Sequence, residues 1–200
     1  MNLIFDTETT GKPRSYRAPF DDVDAWPRLV QIAWMQAGGQ RDVFRTGRVA
    51  TIRPDGFLIP AGSTAIHGIS DAIARETGEE LADVLAEFCR DIQNADTIVG
   101  HNLDFDVPVV AAELCRLGYR CYADALANKT RYDTMRVGTN VCKIPGKYGD
   151  YKFPSLGELY QHLFGRQAEN LHRADGDVQA TAECYFELRR RADPGEDDAE

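Results

Sequence analysis

The sequence predicts an α/β fold, a mixed sheet with helices packed on its faces. Short apolar runs joined as hairpins come first, and strand-like runs alternating with segments of helical period follow. The composition agrees. Of the 200 residues, 43% are hydrophobic and 28% charged, an ordinary globular balance that excludes collagen-like and wholly disordered chains. A chain of this length forms one domain and buries roughly 70% of its unfolded surface, so it needs no disulfide or zinc staple.

The elements follow in order. Leu3, Ile4 and Phe5 form a buried strand that delivers Asp6, Thr7 and Glu8 at its end. Residues 12–28 contain Pro13, Pro19 and Pro27, which forbid a regular element, so they read as a long loop. A second strand covers 29–34, and Gly38-Gly39 turns the chain into a third at about 42–52. Leu81, Val84, Leu85 and Phe88 recur at helical spacing and predict a helix over 79–93. A short strand at 96–100 exits through residues 101–106 into a helix over 107–117, closed by Gly118. A further strand-like piece ends at Asp133. Ser155, with Glu158 three residues later, spells a capping box that opens a helix running to Phe164. The last helix covers 174–190. The acidic residues 191–200 are expected to form a disordered tail, which leaves 1–190 as the domain.

There are 23 lysines and arginines against 32 acids, a net charge of −9. The last ten residues set Arg191 against five acids, so the deficit is partly local. Such a body does not coat itself with duplex nucleic acid by charge alone, but a short strand held by a few contacts and bound cations remains open to it. No run of about 18 apolar residues occurs. The N-terminal residues lack the basic start and long apolar stretch of a signal peptide. A cytoplasmic protein without membrane contact is therefore expected. Cys89, Cys115, Cys121, Cys142 and Cys184 show neither a CxxC pair nor zinc-ligand spacing, and read as inert reduced thiols.

Three acidic segments sit where strands end or a helix begins. In Asp6-Thr7-Glu8 the strand period of two puts Asp6 and Glu8 on one face. Adjacent carboxylates repel unless a cation lies between them or one takes a proton. The alternative is a solvated strand-to-turn junction. The second segment, His101 to Asp106, offers Asp104 and Asp106, although Asp104 alternatively caps the next helix from solvent. The third runs from His172 to Asp177. Asp175 is its expected N-cap, and Asp177 faces inward if Val178, Thr181 and Ala182 mark the packed side. Convergence of Asp6, Glu8, Asp106 and Asp177 would suit hard cations, because Mg²⁺ takes oxygen ligands and keeps waters that a phosphate can replace. Two such ions stabilise the attacking and leaving oxygens of a phosphoryl displacement. His172, with a near-neutral pKa, would take the proton of the attacking water.

Together these segments resemble the DnaQ-like 3′–5′ exonucleases of the DEDDh type. Residues 5–11, Phe-Asp-Thr-Glu-Thr-Thr-Gly, look like the first motif. Residues 101–106 look like the second, whose last Asp is the metal ligand; this selects Asp106 over Asp104. His172, five residues before Asp177, looks like the third. Ala65-Ile66-His67-Gly68-Ile69 resembles the segment that lines the terminal-nucleotide pocket. The likeness spans about 1–190, with all four pieces in order.

The resemblance implies a ribonuclease H-like fold, with a central mixed five-stranded sheet flanked by helices. It implies Asp6, Glu8, Asp106, His172 and Asp177 as catalytic residues. The four carboxylates would hold two divalent cations, Mg²⁺ or Mn²⁺, and 5′-mononucleotides would leave from a 3′ end. It also implies contacts to the last nucleotide from Thr9, Ile66, His67, Asn102 and Phe105, though His67 is alternatively a helix-start residue without a ligand. Two loops depart from the family pattern. Residues 12–28 carry Lys12, Arg14, Tyr16, Arg17, Phe20 and Trp26, and residues 143–153 are again basic and aromatic. Such interleaving suits stacking on a single strand, or else a plain packed loop.

The expected partner is a single-stranded nucleic-acid 3′ end, DNA ahead of RNA. The enzyme would act as a free-standing trimming enzyme or in proofreading. The second setting requires a polymerase partner chain, since the sequence carries no polymerase region. The competing readings are an exoribonuclease of the same fold and a binding module that lost the chemistry. The presence of all five catalytic residue types argues against the latter.

Overall fold

A computed structural model of the chain describes residues 1–38, 47–168, 171 and 173–192. Its centre is a five-stranded sheet built from β1 (Asn2–Thr9), β2 (Leu29–Ala37), β3 (Arg48–Thr51), β4 (Thr97–Gly100) and β5 (Thr130–Asp133), in the order β3-β2-β1-β4-β5. β1 runs antiparallel to β2 and parallel to β4; β3 is antiparallel to β2, and β5 is parallel to β4. The expected mixed five-stranded sheet is therefore present. The helices are α1 (Ala61–His67), α2 (Asp71–Thr77), α3 (Leu81–Asn94), α4 (Leu103–Arg116), α5 (Arg120–Ala127), α6 (Thr134–Cys142), α7 (Leu156–Phe164) and α8 (Ala174–Ala192).

β1 is the middle strand, and Leu3, Ile4 and Phe5 are fully buried because both of its faces are covered. Leu3 and Phe5 join Phe88 of α3 and Val107, Val110 and Leu114 of α4 in one core. Ile4 points the other way and joins Val178, Ala182 and Tyr185 of α8. The two-residue period of the strand then carries on. Asp6 and Glu8 follow Ile4 toward α8, and Thr7 follows Phe5 toward α4. The two cores thus set the directions in which the site residues point.

Several boundaries differ from expectation. α4 begins at Leu103 rather than 107, so Asp106 lies inside its first turn. Asp104 is not the N-cap. Asn102 holds that position, in a left-handed conformation with φ 79°, and Asp104 pairs with Arg136 of α6. Asp175 is not an N-cap either: it lies in the first turn of α8, beside Arg173. α8 runs two residues past its expected end to Ala192, because Arg191 donates to Glu187 (2.6 Å) and to the Leu163 carbonyl (2.8 Å). The beginning of the expected third strand, with the turn at Gly39, and residues 193–200 lie outside the described residues. α1, α2, α5 and α6 were not expected. They span seven to nine residues each, too short for a 3.6-residue period to stand out.

The capping box is present as read: the Ser155 hydroxyl accepts from the Glu158 N–H (3.2 Å), and Glu158 accepts from the Ser155 N–H (2.8 Å). All five cysteines are free, and burial pushes the Cys89 thiol up to about 11 and Cys184 up to about 12, so both stay protonated and unreactive. Among the described residues no helix is long and apolar enough to cross a membrane.

Candidate active site

The acids gather at the carboxyl ends of the parallel strands. This edge is where open α/β sheets bind ligands, because the loops leaving the strands diverge there. Asp6 and Glu8 project from β1 toward the first turn of α8, where Asp177 sits. One carboxylate oxygen from each of these three lies within 4.8 Å of the others. Val178, Thr181 and Ala182 are buried and turn that face of α8 to the sheet, as expected.

Asp106 reaches the site from the other side. It is only 3% exposed, and its Oδ1 accepts from the Thr7 hydroxyl at 2.5 Å. It stands outside the 4.8 Å group, yet it is close enough to repel both Asp6 and Glu8. The alternation in β1 accounts for this arrangement, since Thr7 points toward α4 while its neighbours point toward α8. Thr7 is thus a site residue that the acid-centred reading passed over.

The electrostatics are those of like charges crowded together at a buried site. Burial pushes the Asp6 carboxyl well above its ordinary value, and repulsion from Asp106, Asp177 and Glu8 adds to the rise. Burial, then Asp177 and Asp106, push Glu8 up to about 7. Burial pushes Asp106 up to about 7 as well, although the hydrogen bond from Thr7 opposes it. The donor set is all oxygen and all acid, and it is held together against its own repulsion. An all-oxygen, all-acid donor set of this kind suits hard divalent cations.

A second layer fixes this geometry. Asp133, at the end of β5, caps two helices at once. It accepts from the N–H groups of Asn102 (3.1 Å) and Leu103 (2.9 Å) at α4, and from Met135 (3.0 Å) at α6. A Cβ at Gly100 would meet Leu103 Cδ2 at 2.5 Å and the Phe5 carbonyl at 3.3 Å, so the buried Leu103 would have to shift to admit one. His101 bridges Thr134 (3.0 Å) and the Pro154 carbonyl (3.1 Å), anchoring the end of the second basic loop. Further along α4, the fully buried Glu113 is held by Arg28 (2.9 Å), Arg116 (3.1 Å) and the Leu29 N–H (2.9 Å). Arg116 also donates to the carbonyls of Val23 and Trp26. This network clamps the loop over 12–28 to the helix that carries Asp106. Asp133 and Glu113 lie outside the four recognised motifs. Each has one partner close by, Met135 for Asp133 and Arg116 for Glu113, but the contacts to Asn102 and Leu103 and to Arg28 and Leu29 join distant segments that no local pattern announces.

The residues expected around the last nucleotide are dispersed in character. Thr9 is buried at the end of β1, its hydroxyl donating to the Gly11 carbonyl (2.8 Å). Ile66 is 66% exposed on α1. His67 is buried at the end of that helix rather than at its start, and its Nδ1 accepts from the Ile69 N–H (3.1 Å). The neutral ring therefore carries its proton on Nε2, an assignment made from the hydrogen-bond network. Nε2 is buried and closes no hydrogen bond of good geometry among the described residues. Burial pushes the His67 pKa down, and the neighbouring Thr9 backbone only partly opposes it. Phe105 lies half-buried in the first turn of α4, against the ring of Tyr16. His172 lies outside the described residues.

Comparisons with known proteins place the chain among exonucleases. A family model described as Exonuclease, RNase_T, matches residues 3–185. Human three-prime repair exonuclease 1 is 30% identical over 135 residues, covering 64% of this chain and 42% of that protein. The DNA polymerase III subunit epsilon-like protein of Rhodobacter capsulatus is 31% identical over 188 residues, covering 93% of this chain and 23% of that protein. Among solved structures, E. coli exonuclease I in complex with a dT13 oligonucleotide superposes with a TM-score of 0.74 at 24% identity, covering 96% of this chain and 41% of that one. This chain spans less than half the length of each.

Proposed function

The chain belongs to the RNase_T exonuclease family, and we propose that it hydrolyses phosphodiester bonds at a nucleic-acid 3′ end, releasing 5′-mononucleotides. The observation that carries this reading is the group of Asp6, Glu8 and Asp177 oxygens within 4.8 Å, with Asp106 beside it and three of the four acids raised in pKa. These four carboxylates would hold two divalent cations, Mg²⁺ or Mn²⁺. When bound, the ions supply charge stabilisation to the phosphate and to the attacking and leaving oxygens.

The protein's own groups do the rest. His67 presents the Nε2–H donor to the terminal nucleotide, and Phe105 offers a ring to its base. Thr9, Ile66 and Asn102 complete the pocket. His172 takes the proton of the attacking water, a role worth about 10²–10⁴-fold in rate. That assignment rests on its spacing from Asp177 and on the family resemblance. DNA is favoured as substrate, because relatives and neighbours are described with DNA polymerase III and a dT13 oligonucleotide. A proofreading setting would require a polymerase partner chain.

The test is digestion of matched labelled DNA and RNA oligomers, single-stranded and duplex, with Mg²⁺. A free 3′-hydroxyl strand should shorten to 5′-mononucleotides, and a 3′-phosphorylated strand should resist. Rapid internal cutting of a circular single strand overturns the reading. His172→Ala should lose rate while keeping Mn²⁺ affinity, and near-wild-type turnover in the folded variant removes the general-base assignment.

A further inference from the structure

The two loops that depart from the family pattern meet at one groove. Tyr16 of the first and Phe153 of the second line a cleft of about 660 Å³ together with Asn102, Arg131 and Arg136. The volume lies within the range of about 300–1,000 Å³ of ligand-binding pockets. The cleft runs along the carboxyl ends of β4 and β5, so it continues the edge of the sheet that carries the acids. Asn102, the N-cap of α4, belongs to both.

The packing of the loops separates what holds them from what they offer. In the first loop Trp26 and Ala25 are buried, and Phe20 and Val23 pack against the core. Those aromatic and apolar groups are spent on anchoring. Tyr16 is not, and remains 55% exposed. It leans on Phe105, the ring proposed to meet the terminal base, with ring centroids 6.3 Å apart. In the second loop Phe153 is 56% exposed, next to the Pro154 carbonyl that His101 holds. Both rings stand on anchored loops with half of their surface in solvent, where a base can reach them.

The charges point to the same occupant. The protein is acidic overall, at −9, yet the groove presents Arg131 and Arg136. Asp104 faces the same space and pairs with both, so the arginines are balanced only in part. Each guanidinium keeps donors for a phosphate. Aromatic rings for bases beside cations for the backbone are the elements of a single-strand path.

We infer that this groove binds the nucleotides immediately upstream of the scissile bond of a single strand, with Tyr16 and Phe153 stacking on bases and Arg131 and Arg136 meeting phosphates. The inference rests on the 3′-end reading of the neighbouring acids. It makes the enzyme a reader of strand length, with an affinity set mainly by residues that take no part in cleavage.

Single strands of two and twelve thymidines, each with a free 3′-hydroxyl, test it. The wild type should favour the twelve-residue strand in kcat/KM. Tyr16→Ala and Phe153→Ala should each cut that advantage about tenfold, in KM rather than kcat, as expected for loss of one stacked base. Tyr16→Phe should restore it. An advantage that persists in the double variant, or its absence in the wild type, overturns the inference. Fluorescence anisotropy of labelled dT12 in EDTA provides an arm independent of cleavage. Weaker binding by the folded double variant supports the groove even if no strand is digested, and in that case it is the 3′-end reading that fails. Equal binding overturns the groove.

Discussion

Glu113 and the group of Asp6, Glu8 and Asp106 are all buried carboxylates, and the protein treats them in opposite ways. Glu113 is fully buried, with Arg28 and Arg116 at 2.9 and 3.1 Å and a backbone N–H beside them. Its opposite charge comes from the chain itself. Asp6, Glu8 and Asp106 form no ion pair among the described residues, and each is pushed up in pKa. The chain supplies positional support there and leaves the opposite charge to come from outside. Both arrangements are costly to desolvate, but only one is completed by folding. Burial that gathers like charges without neutralising them suits a cation.

The largest expected effect comes from breaking the incomplete side. Asp6→Asn keeps the shape and removes one charge. Turnover should drop about 10³-fold, because several kcal/mol of charge stabilisation in the transition state go with it. The melting midpoint in EDTA should hold or rise, since repulsion is relieved. Steady-state turnover and melting on one preparation check both. Intact turnover with a lower midpoint would remove the contrast.

Glu113→Ala should do the reverse. It leaves Arg28 and Arg116 without their carboxylate and should cost about 3 kcal/mol in stability, while turnover per folded molecule on a dinucleotide falls far less than in Asp6→Asn, because Glu113 acts only through the helix that carries Asp106. Urea unfolding and active-site-normalised rates measure the two.

Next in size is the coupling of pH to metal. Glu8 and Asp106 have folded values raised to about 7. A raised acid favours the folded state below its unfolded pKa, near about 4. That contribution is lost as pH rises through about 7. In EDTA the melting midpoint should therefore fall between those limits. Mg²⁺ or Mn²⁺ at about a hundredfold over its Kd should return about 2.7 kcal/mol at pH 7. A midpoint in EDTA that is flat across the window counts against the crowded site.

The smallest effect belongs to an acid paired at the surface. Arg190 and Arg191 draw Glu187 down to about 2. The sign is opposite: its contribution is present above about 4 and disappears as pH falls toward 2. The arginine side chains are 66% and 39% exposed, so solvent screens them, and Glu187→Gln should cost less than about 1 kcal/mol. Acid titration of the two proteins, followed by circular dichroism, measures the difference.

Much of this was legible along the chain, and the legible parts share a cause. The alternation of β1 put Asp6 and Glu8 on one face, and the capping box at Ser155 named its helix start to the residue, because both depend on neighbours within a few positions. The choice of Asp106 over Asp104 already needed the family resemblance. The caps were misread at Asp104 and Asp175 because an acid near a helix start satisfies the same local rule at several positions. In each case a nearby arginine took the side chain instead.

By itself the sequence determined the strands, the longer or capped helices, the order of the acidic segments and the shared face of Asp6 and Glu8, since periodicity and capping are short-range. Only the tertiary structure decided that Asp133 caps two helices, that Glu113 clamps the first loop through Arg28 and Arg116, and that Tyr16 and Phe153 share a groove. Each of those includes at least one pair of residues tens of positions apart. Their proximity is a product of how the two cores close on β1, and no local pattern of residues encodes a distance set by packing.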